Sequence, residues 1–112
     1  GFTGEVHELD ARVGGRLRMS FTHFATGQAH AFGGEYLELL PYTRICHTDA
    51  FDDAGLPGAM RVTVNFTHVS CGTELSIVQE GIPEAIPPED CHVGWQESLA
   101  LLALLVEAEI PV

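Results

Sequence analysis

Apolar and polar residues alternate along the first two-thirds of the chain, as expected for strands with one buried face. Between Arg16 and Phe24, the apolar side chains of Leu17, Met19 and Phe21 share one face. Between Met60 and Val69, a second apolar face consists of Met60, Val62, Val64 and Phe66. Both stretches therefore predict strands that are half buried and half exposed.

Four other segments also predict strands, because glycine- and proline-containing turns separate them from their neighbours. They span residues 5–10, 28–40, 42–51 and 73–80. The third predicted strand contains the pair Gly33-Gly34, which is typical of a bulge or a sharp bend. The sequence thus predicts about six strands that hairpins can connect.

The last part of the chain has the pattern of one long helix, from about Asp90 to Glu107. Pro88 suits the first helical position, where its missing N–H costs nothing. The predicted apolar stripe is Trp95, Leu99, Leu102 and Val106. Leu101, Leu104 and Leu105 make the apolar surface wider than one sheet face needs, so we expect this helix to be covered on more than one side.

Strands followed by one amphipathic helix predict a single α+β domain over residues 1–112. A curved antiparallel sheet can wrap around a helix without filling all the space between the two layers. Such a gap is a common place for a small-molecule pocket.

Four motifs in the chain, in order, resemble those of one protein family. They are Asp10-Ala11-Arg12-Val13-Gly14-Gly15, Gly34-Glu35-Tyr36-Leu37-Glu38-Leu39-Leu40-Pro41, Gly72-Thr73-Glu74-Leu75-Ser76-Ile77 and Gly94-Trp95-Gln96-Glu97-Ser98-Leu99. They are similar to the turn, two strands and last helix of the activator-of-heat-shock-protein-ninety-ATPase homologue family. That family belongs to the START-like, birch-pollen-allergen-like (SRPBCC) superfamily.

The resemblance implies a helix-grip fold, in which the sheet wraps around the C-terminal helix. Relatives usually begin with another strand and two short helices, which are missing from this sequence, so a shortened form or a partial chain is expected. Without the missing strand, residues 73–80 would form an open edge. A homodimer would cover both that edge and the extra leucines of the helix.

Charge narrows the choice of partners. Sixteen acidic residues against five Lys and Arg give a formal net charge of -11. Such a field repels a phosphate backbone and an anionic membrane surface, so we expect neither nucleic acid nor a membrane as a partner. The three widely spaced cysteines, Cys46, Cys71 and Cys91, argue against a disulfide framework and predict a cytoplasmic location.

The predicted ligand-binding residues are the apolar positions of the strands and helix, together with two polar side chains. They are Leu17, Met19, Phe21, Tyr36, His47, Val62, Val64, Phe66, Trp95, Leu99 and Leu102. An ordinary core between sheet and helix would have the same composition, so both interpretations stay open.

Metal and acid–base chemistry have weaker signals. His23 and His30 flank a short hairpin, but no His-x-x-x-His or Cys-x-x-Cys spacing exists, so no metal site and no cofactor are predicted. Four titratable residues on the middle strands, Glu35, Glu38, His47 and Asp49, are placed where an inward side chain can move a proton. Because strand faces alternate, only some of them can point inward.

Three functions follow. The first is a non-enzymatic domain that binds a small apolar molecule between sheet and helix, which the resemblance implies. The second is a co-chaperone-like domain that stimulates a heat-shock ATPase. The third is a cyclase- or hydrolase-like enzyme that uses an inward Glu or His.

Overall fold

The computed structural model describes residues 1–107 and shows an α+β fold of six strands and one helix. The elements are β1 (Phe2–Leu9), β2 (Arg16–His23), β3 (Ala29–Leu40), β4 (Arg44–Phe51), β5 (Met60–Val69), β6 (Gly72–Glu80) and α1 (Pro88–Val106). Each strand pairs antiparallel with the next along the chain, and the sheet curls into a half-barrel. The predicted fold class is confirmed.

The alternation predicted for β2 and β5 is confirmed by burial. Leu17, Met60 and Val62 are buried on the concave face, whereas Arg16 and Arg61 beside them are exposed. Val62 is fully buried, because it lies near the middle of the sheet opposite His47 of β4. The sheet thus directs one apolar face toward the helix and a polar face toward solvent.

Strand β3 approaches β4 closely at Gly34, within the glycine pair of its sequence. A Cβ atom on Gly34 would meet the backbone oxygen of Thr48, so only glycine allows the two strands to approach this closely. The amide of Glu35 bonds to the side-chain oxygen of Thr48 instead of continuing the backbone ladder. A shift in register follows, between Tyr36 and Glu38. Both irregularities lie in β3, a central strand of the curled sheet.

Helix α1 begins with Pro88 in its first turn, followed by the acidic residues Glu89 and Asp90. The proline needs no hydrogen bond there, and the two carboxylates lie at the positive end of the helix dipole. A buried Pro83 precedes the helix and fixes the connection from β6. The helix starts two residues earlier than the sequence predicted.

The half-buried stripe of the helix is narrower than predicted. The half-buried positions repeat every four residues: Cys91, Trp95, Leu99 and Ala103. Leu102 and Val106, predicted in the stripe, are 42% and 65% exposed. Consecutive positions of a helix lie about 100° apart around its axis. The side chain of Leu102 therefore lies beside the half-buried row that contains Ala103 and not within it.

The wider apolar face of α1 is exposed in the described part of the chain. Leu101, Leu104 and Leu105 are 68%, 83% and 82% exposed, so the predicted cover on a second side is not supplied by residues 1–107. The described sheet ends at β1 on one side and at β6 on the other. Within residues 1–107, no helix has the length and apolarity needed to cross a membrane.

Candidate functional site

A cleft of about 550 Å³ lies between the concave face of the sheet and helix α1. This volume is within the usual range for small-molecule sites, roughly 300–1,000 Å³. Strands β1 to β6 and the first half of α1 all contribute side chains to its wall. The lining residues are Leu9, Leu17, Met19, Phe21, Phe32, Tyr36, His47, Asp49, Phe51, Met60, Gln79, Cys91, Gly94, Trp95 and Ser98.

Aromatic rings form one wall of the cleft. Phe21 of β2 stacks on Phe32 of β3, with ring centroids 5.5 Å apart, and Phe32 meets Phe51 of β4 edge to face at 6.1 Å. The three rings belong to adjacent strands, so strand pairing holds them in one continuous row. This row gives a bound molecule a flat apolar surface.

The middle of the sheet places a polar group in the same cleft. His47 and Asp49 are two residues apart on β4, so both side chains point to the concave face. His47 Nδ1 is 3.4 Å from Asp49 Oδ1 and 3.3 Å from the backbone oxygen of Thr48. The Tyr36 ring lies edge-on to the imidazole, with the centroids 6.0 Å apart.

The two side chains form a mostly buried pair. The side chain of His47 is 17% exposed and that of Asp49 is 13% exposed. The Asp49 carboxylate raises the pKa of His47 above its usual value of 6.5, first as an acceptor facing Nδ1 and also through its charge. Burial opposes this increase, because it disfavours the charged imidazolium. The net effect is that the protonated form of His47 persists to a higher pH than in an isolated histidine.

A second polar contact fastens the helix to the sheet. The indole N–H of Trp95 donates a hydrogen bond of 2.8 Å to the side-chain oxygen of Gln79 on β6. The amide nitrogen of Gln79 in turn lies 3.2 Å from the sulfur of Met60 on β5. This contact positions the Trp95 ring in the part of the cleft wall that α1 supplies.

The structure brings six of the predicted ligand-binding residues together in the cleft wall: Leu17, Met19, Phe21, Tyr36, His47 and Trp95. The other five predicted residues do not line it. Val62 is fully buried in the core, Val64 and Phe66 lie half-buried farther along β5, and Leu99 and Leu102 are on the second half of α1. The alternation of apolar and polar residues predicted which side chains of β5 point inward. It did not predict how far the cleft extends along that strand.

Several lining residues were absent from the predicted set. Phe32 and Phe51 had a detectable signal, because each is apolar and shares a strand face with a predicted inward residue. Gln79 had none, since its role depends on the distance to Trp95. Asp49 was considered only as a proton-transfer candidate, and the structure places it beside His47 in the cleft wall.

The other titratable candidates lie elsewhere. Glu35 is exposed on the convex face, and Glu38 pairs with Arg44 at 3.6 Å. His23 and His30 are not directly opposite each other, because His30 pairs with Phe21 and His23 pairs with Phe2. In the described residues, no three His, Cys, Asp or Glu side chains are placed to bind a metal ion.

The convex face has a shallower depression of about 470 Å³, lined by charged and polar groups of β2 to β4. Its clearest contact is an ion pair between Arg18 and Asp52 at the solvent surface. Exposed ion pairs of this kind contribute little binding energy, so the apolar cleft is the better candidate for a ligand site.

Solved structures of three bacterial proteins are similar to this chain. Protein CV1439 of Chromobacterium violaceum is 62% identical over 97% of this chain and 76% of its own length, with a TM-score of 0.95. A protein from Rhodobacter sphaeroides is 22% identical over 92% of this chain and 69% of its own length, with a TM-score of 0.76. Protein Ms6760 of Mycobacterium smegmatis is 20% identical over 88% of this chain and 62% of its own length, with a TM-score of 0.66.

The last two identities are low, so those two structures show the shared fold alone. No curated protein matches the chain. The model of one family, described as activator of Hsp90 ATPase homolog 1-like protein, matches residues 2–107. The strand order, the gripped C-terminal helix and the family match agree, and the chain belongs to the activator of Hsp90 ATPase homolog 1-like family.

Proposed function

We propose that this domain binds a small apolar molecule in the cleft between the sheet and helix α1. The observation that carries the proposal is the composition of the cleft wall, which is mainly apolar and includes a few polar groups, among them the mostly buried pair of His47 and Asp49. Removing apolar surface from water on both partners supplies the binding energy. The few polar groups would fix the orientation of the ligand.

The wall differs from a finished core in one respect. Phe21 lines the cleft and is 41% exposed, although it belongs to the concave face that the helix grips. An apolar side chain in a closed core would be covered by its neighbours. Exposed apolar surface inside a concave site is available to a ligand, which supports binding over a purely structural role.

The proposal is tested with N-phenyl-1-naphthylamine, an uncharged dye that fluoresces when it leaves water. Trp95 is the only tryptophan and lies in the cleft wall, so energy transfer from Trp95 to the dye reports binding nearby. We expect saturable dye fluorescence together with quenching of Trp95 emission. A protein that gives no saturable signal contradicts the proposed function.

Two matched variants locate the site. Phe21→Ser removes a ring from the cleft, whereas Phe24→Ser removes a ring that is 68% exposed and lies outside the cleft. We expect Phe21→Ser to raise the dye Kd at least about fivefold, which is about 1 kcal/mol. Phe24→Ser is expected to leave the Kd unchanged. Leu104→Ser, on the exposed helix face, tests for dye binding outside the cleft.

A protein-interaction role is a second candidate, and the exposed leucines of α1 favour it. An exposed apolar patch is typical of an interface. The predicted homodimer and the predicted chaperone ATPase both stay predictions, as does a cytoplasmic location. Light scattering of the eluted protein checks the dimer, and stimulation of a heat-shock ATPase by the added domain checks the co-chaperone role.

An enzymatic role has less support. His47 has Asp49 as a charged neighbour, and the cleft is not closed to water, since its lining residue Phe21 is 41% exposed. A general acid or base works best when water is excluded and a substrate proton lies within reach. Binding alone explains the same residues.

A further inference from the structure

We propose that His47 is the polar anchor of the cleft, with its Nε2 atom binding the oxygen of a carbonyl group at one end of an apolar ligand. The inference rests on the proposed function, because an anchor needs a molecule in the cleft. It adds the chemical class of that molecule. The ligand would have an apolar body against the phenylalanine row and one uncharged acceptor oxygen at the middle of the sheet.

The contacts of His47 determine which nitrogen faces the ligand. Nδ1 lies within 3.3 Å of the Thr48 backbone oxygen and 3.4 Å of Asp49 Oδ1, two groups that only accept hydrogen bonds. The proton therefore stays on Nδ1 even when the imidazole is neutral. Protonation then adds a hydrogen to Nε2, which makes no hydrogen bond within residues 1–107.

Nε2 is also accessible. Among the side-chain nitrogen and oxygen atoms of the described residues, Asp49 Oδ1 alone is both buried and without a hydrogen bond. Nε2 thus retains contact with free space, and the residue lines the cleft. A protonated imidazole there offers a charged hydrogen-bond donor in a cleft whose wall is mainly apolar.

The groups around His47 favour an uncharged acceptor over a carboxylate. Its neighbours are Tyr36 of β3, Asp49 of β4 and Val62 of β5; Cys91 of α1 also lines the described cleft, and no Lys or Arg does. A carboxylate would therefore meet the negative charge of Asp49 with no further cation to offset it, whereas a carbonyl needs only the donor.

The pKa of His47 agrees with this role. The Asp49 carboxylate raises it above 6.5, so the imidazolium form is present to a higher pH than in an isolated histidine. The donor on Nε2 is available below the pKa of His47 and is lost above it. Binding of a carbonyl compound should therefore weaken as the pH rises through that pKa, and binding of a plain hydrocarbon should not.

The experiment compares two ligands of nearly equal shape, 2-acetylnaphthalene and 2-ethylnaphthalene, by displacement of N-phenyl-1-naphthylamine. We expect the acetyl compound to bind about tenfold more tightly at pH 6, a difference that one charge-assisted hydrogen bond can supply. The preference should fall toward onefold by pH 9. This pH series uses the unaltered protein, so it does not depend on the folding of any variant.

Variants then assign the effect to its residues. His47→Leu should abolish both the preference and its pH dependence, while His68→Leu, which alters an exposed histidine of β5, should preserve them. Asp49→Asn removes the charge that raises the pKa of His47, so the fall in preference should move to lower pH. A merely structural role for Asp49 would not shift that midpoint.

The outcomes separate the two proposals. Equal binding of both naphthalenes at every pH would overturn the anchor and leave apolar binding intact. Tighter binding of 2-naphthoate than of 2-acetylnaphthalene would overturn the choice of a carbonyl group. If neither the dye nor either naphthalene binds, the proposed function fails and the anchor fails with it.

Discussion

At the scale of a single residue, His47 couples folding to pH because its imidazole lies beside Asp49 only in the folded protein. His47 and Asp49 are two residues apart on β4, and side chains at that spacing point to the same face of a strand. No distant element is needed to bring them together. Sequence alone identified both residues as candidates. It did not show that both face the cleft, because the register of β4 selects the inward set.

The first prediction concerns the pH dependence of stability. The pKa of His47 is raised in the folded protein, so its favourable interaction is fully present below about 6.5, the unfolded value, and is lost as the pH rises through the folded value. We expect the free energy of unfolding of the wild type to decrease over that interval relative to His47→Gln. Urea unfolding from pH 5.5 to 9 measures it.

His68→Gln is the control for this series, because His68 is exposed on β5. Its pH profile should follow that of the wild type. A wild-type profile that coincides with His47→Gln across the whole range would show that Asp49 does not stabilise the imidazolium.

Tyr42 is a second residue whose conformation the sequence did not reveal. It has a φ of 62°, in the left-handed region, and its side chain is 97% exposed. The amide of Thr43 bonds to the Leu40 oxygen at 3.0 Å, with Pro41 between them, so residues 40–43 form a tight turn. Such turns favour glycine at the position of Tyr42.

The second prediction follows from this turn. Tyr42→Gly should raise the free energy of unfolding by up to about 1 kcal/mol, because relief of the left-handed strain exceeds the added entropy of the unfolded chain. Thermal or urea unfolding measures the change. Tyr36→Gly, at an extended position of β3, should be destabilising instead, and a loss of stability in Tyr42→Gly would contradict the strain argument.

At the scale of the elements, α1 has only a narrow row of half-buried side chains. Cys91, Trp95, Leu99 and Ala103 are the half-buried positions of the helix, and none of its residues is fully buried. Because few helix side chains are buried, the Trp95–Gln79 hydrogen bond should contribute a larger fraction of the free energy that holds α1 to the sheet than it would in a densely packed core.

The third prediction tests this attachment. Gln79→Leu removes the acceptor of the Trp95 N–H, and we expect a loss of about 1–2 kcal/mol in the free energy of unfolding. Trp95 emission should change in the folded state as well, because the indole N–H loses its partner. Gln96→Leu, at an exposed position of α1, is the matched control and should have little effect on either. Equal stability of the two variants would show that apolar packing alone holds the helix.

At the scale of the whole molecule, the three cysteines sample three environments. Cys46 is buried in the sheet, Cys71 is exposed in the turn between β5 and β6, and Cys91 is half-buried where α1 faces the cleft. All three are free thiols. Burial, and then the charge of Asp90, raises the pKa of Cys91 and so lowers its thiolate fraction at neutral pH.

The fourth prediction uses these thiols as reporters. Iodoacetamide should modify Cys71 first, Cys91 more slowly and Cys46 only on unfolding, as followed by mass spectrometry of the peptides. N-phenyl-1-naphthylamine in the cleft should slow the modification of Cys91 and leave that of Cys71 unchanged. Slowing of both thiols, or of neither, would argue against a ligand between α1 and the sheet.

The sequence by itself determined the order of the elements, the inward faces of β2 and β5, and the start of the helix to within two residues. These features depend on contacts between near neighbours, whose spacing follows from strand and helix geometry. Tertiary structure decided where the cleft ends on β5, which side of α1 meets the sheet, and that Gln79 reaches Trp95. Those features depend on distances between segments far apart in the chain, which a local pattern does not encode.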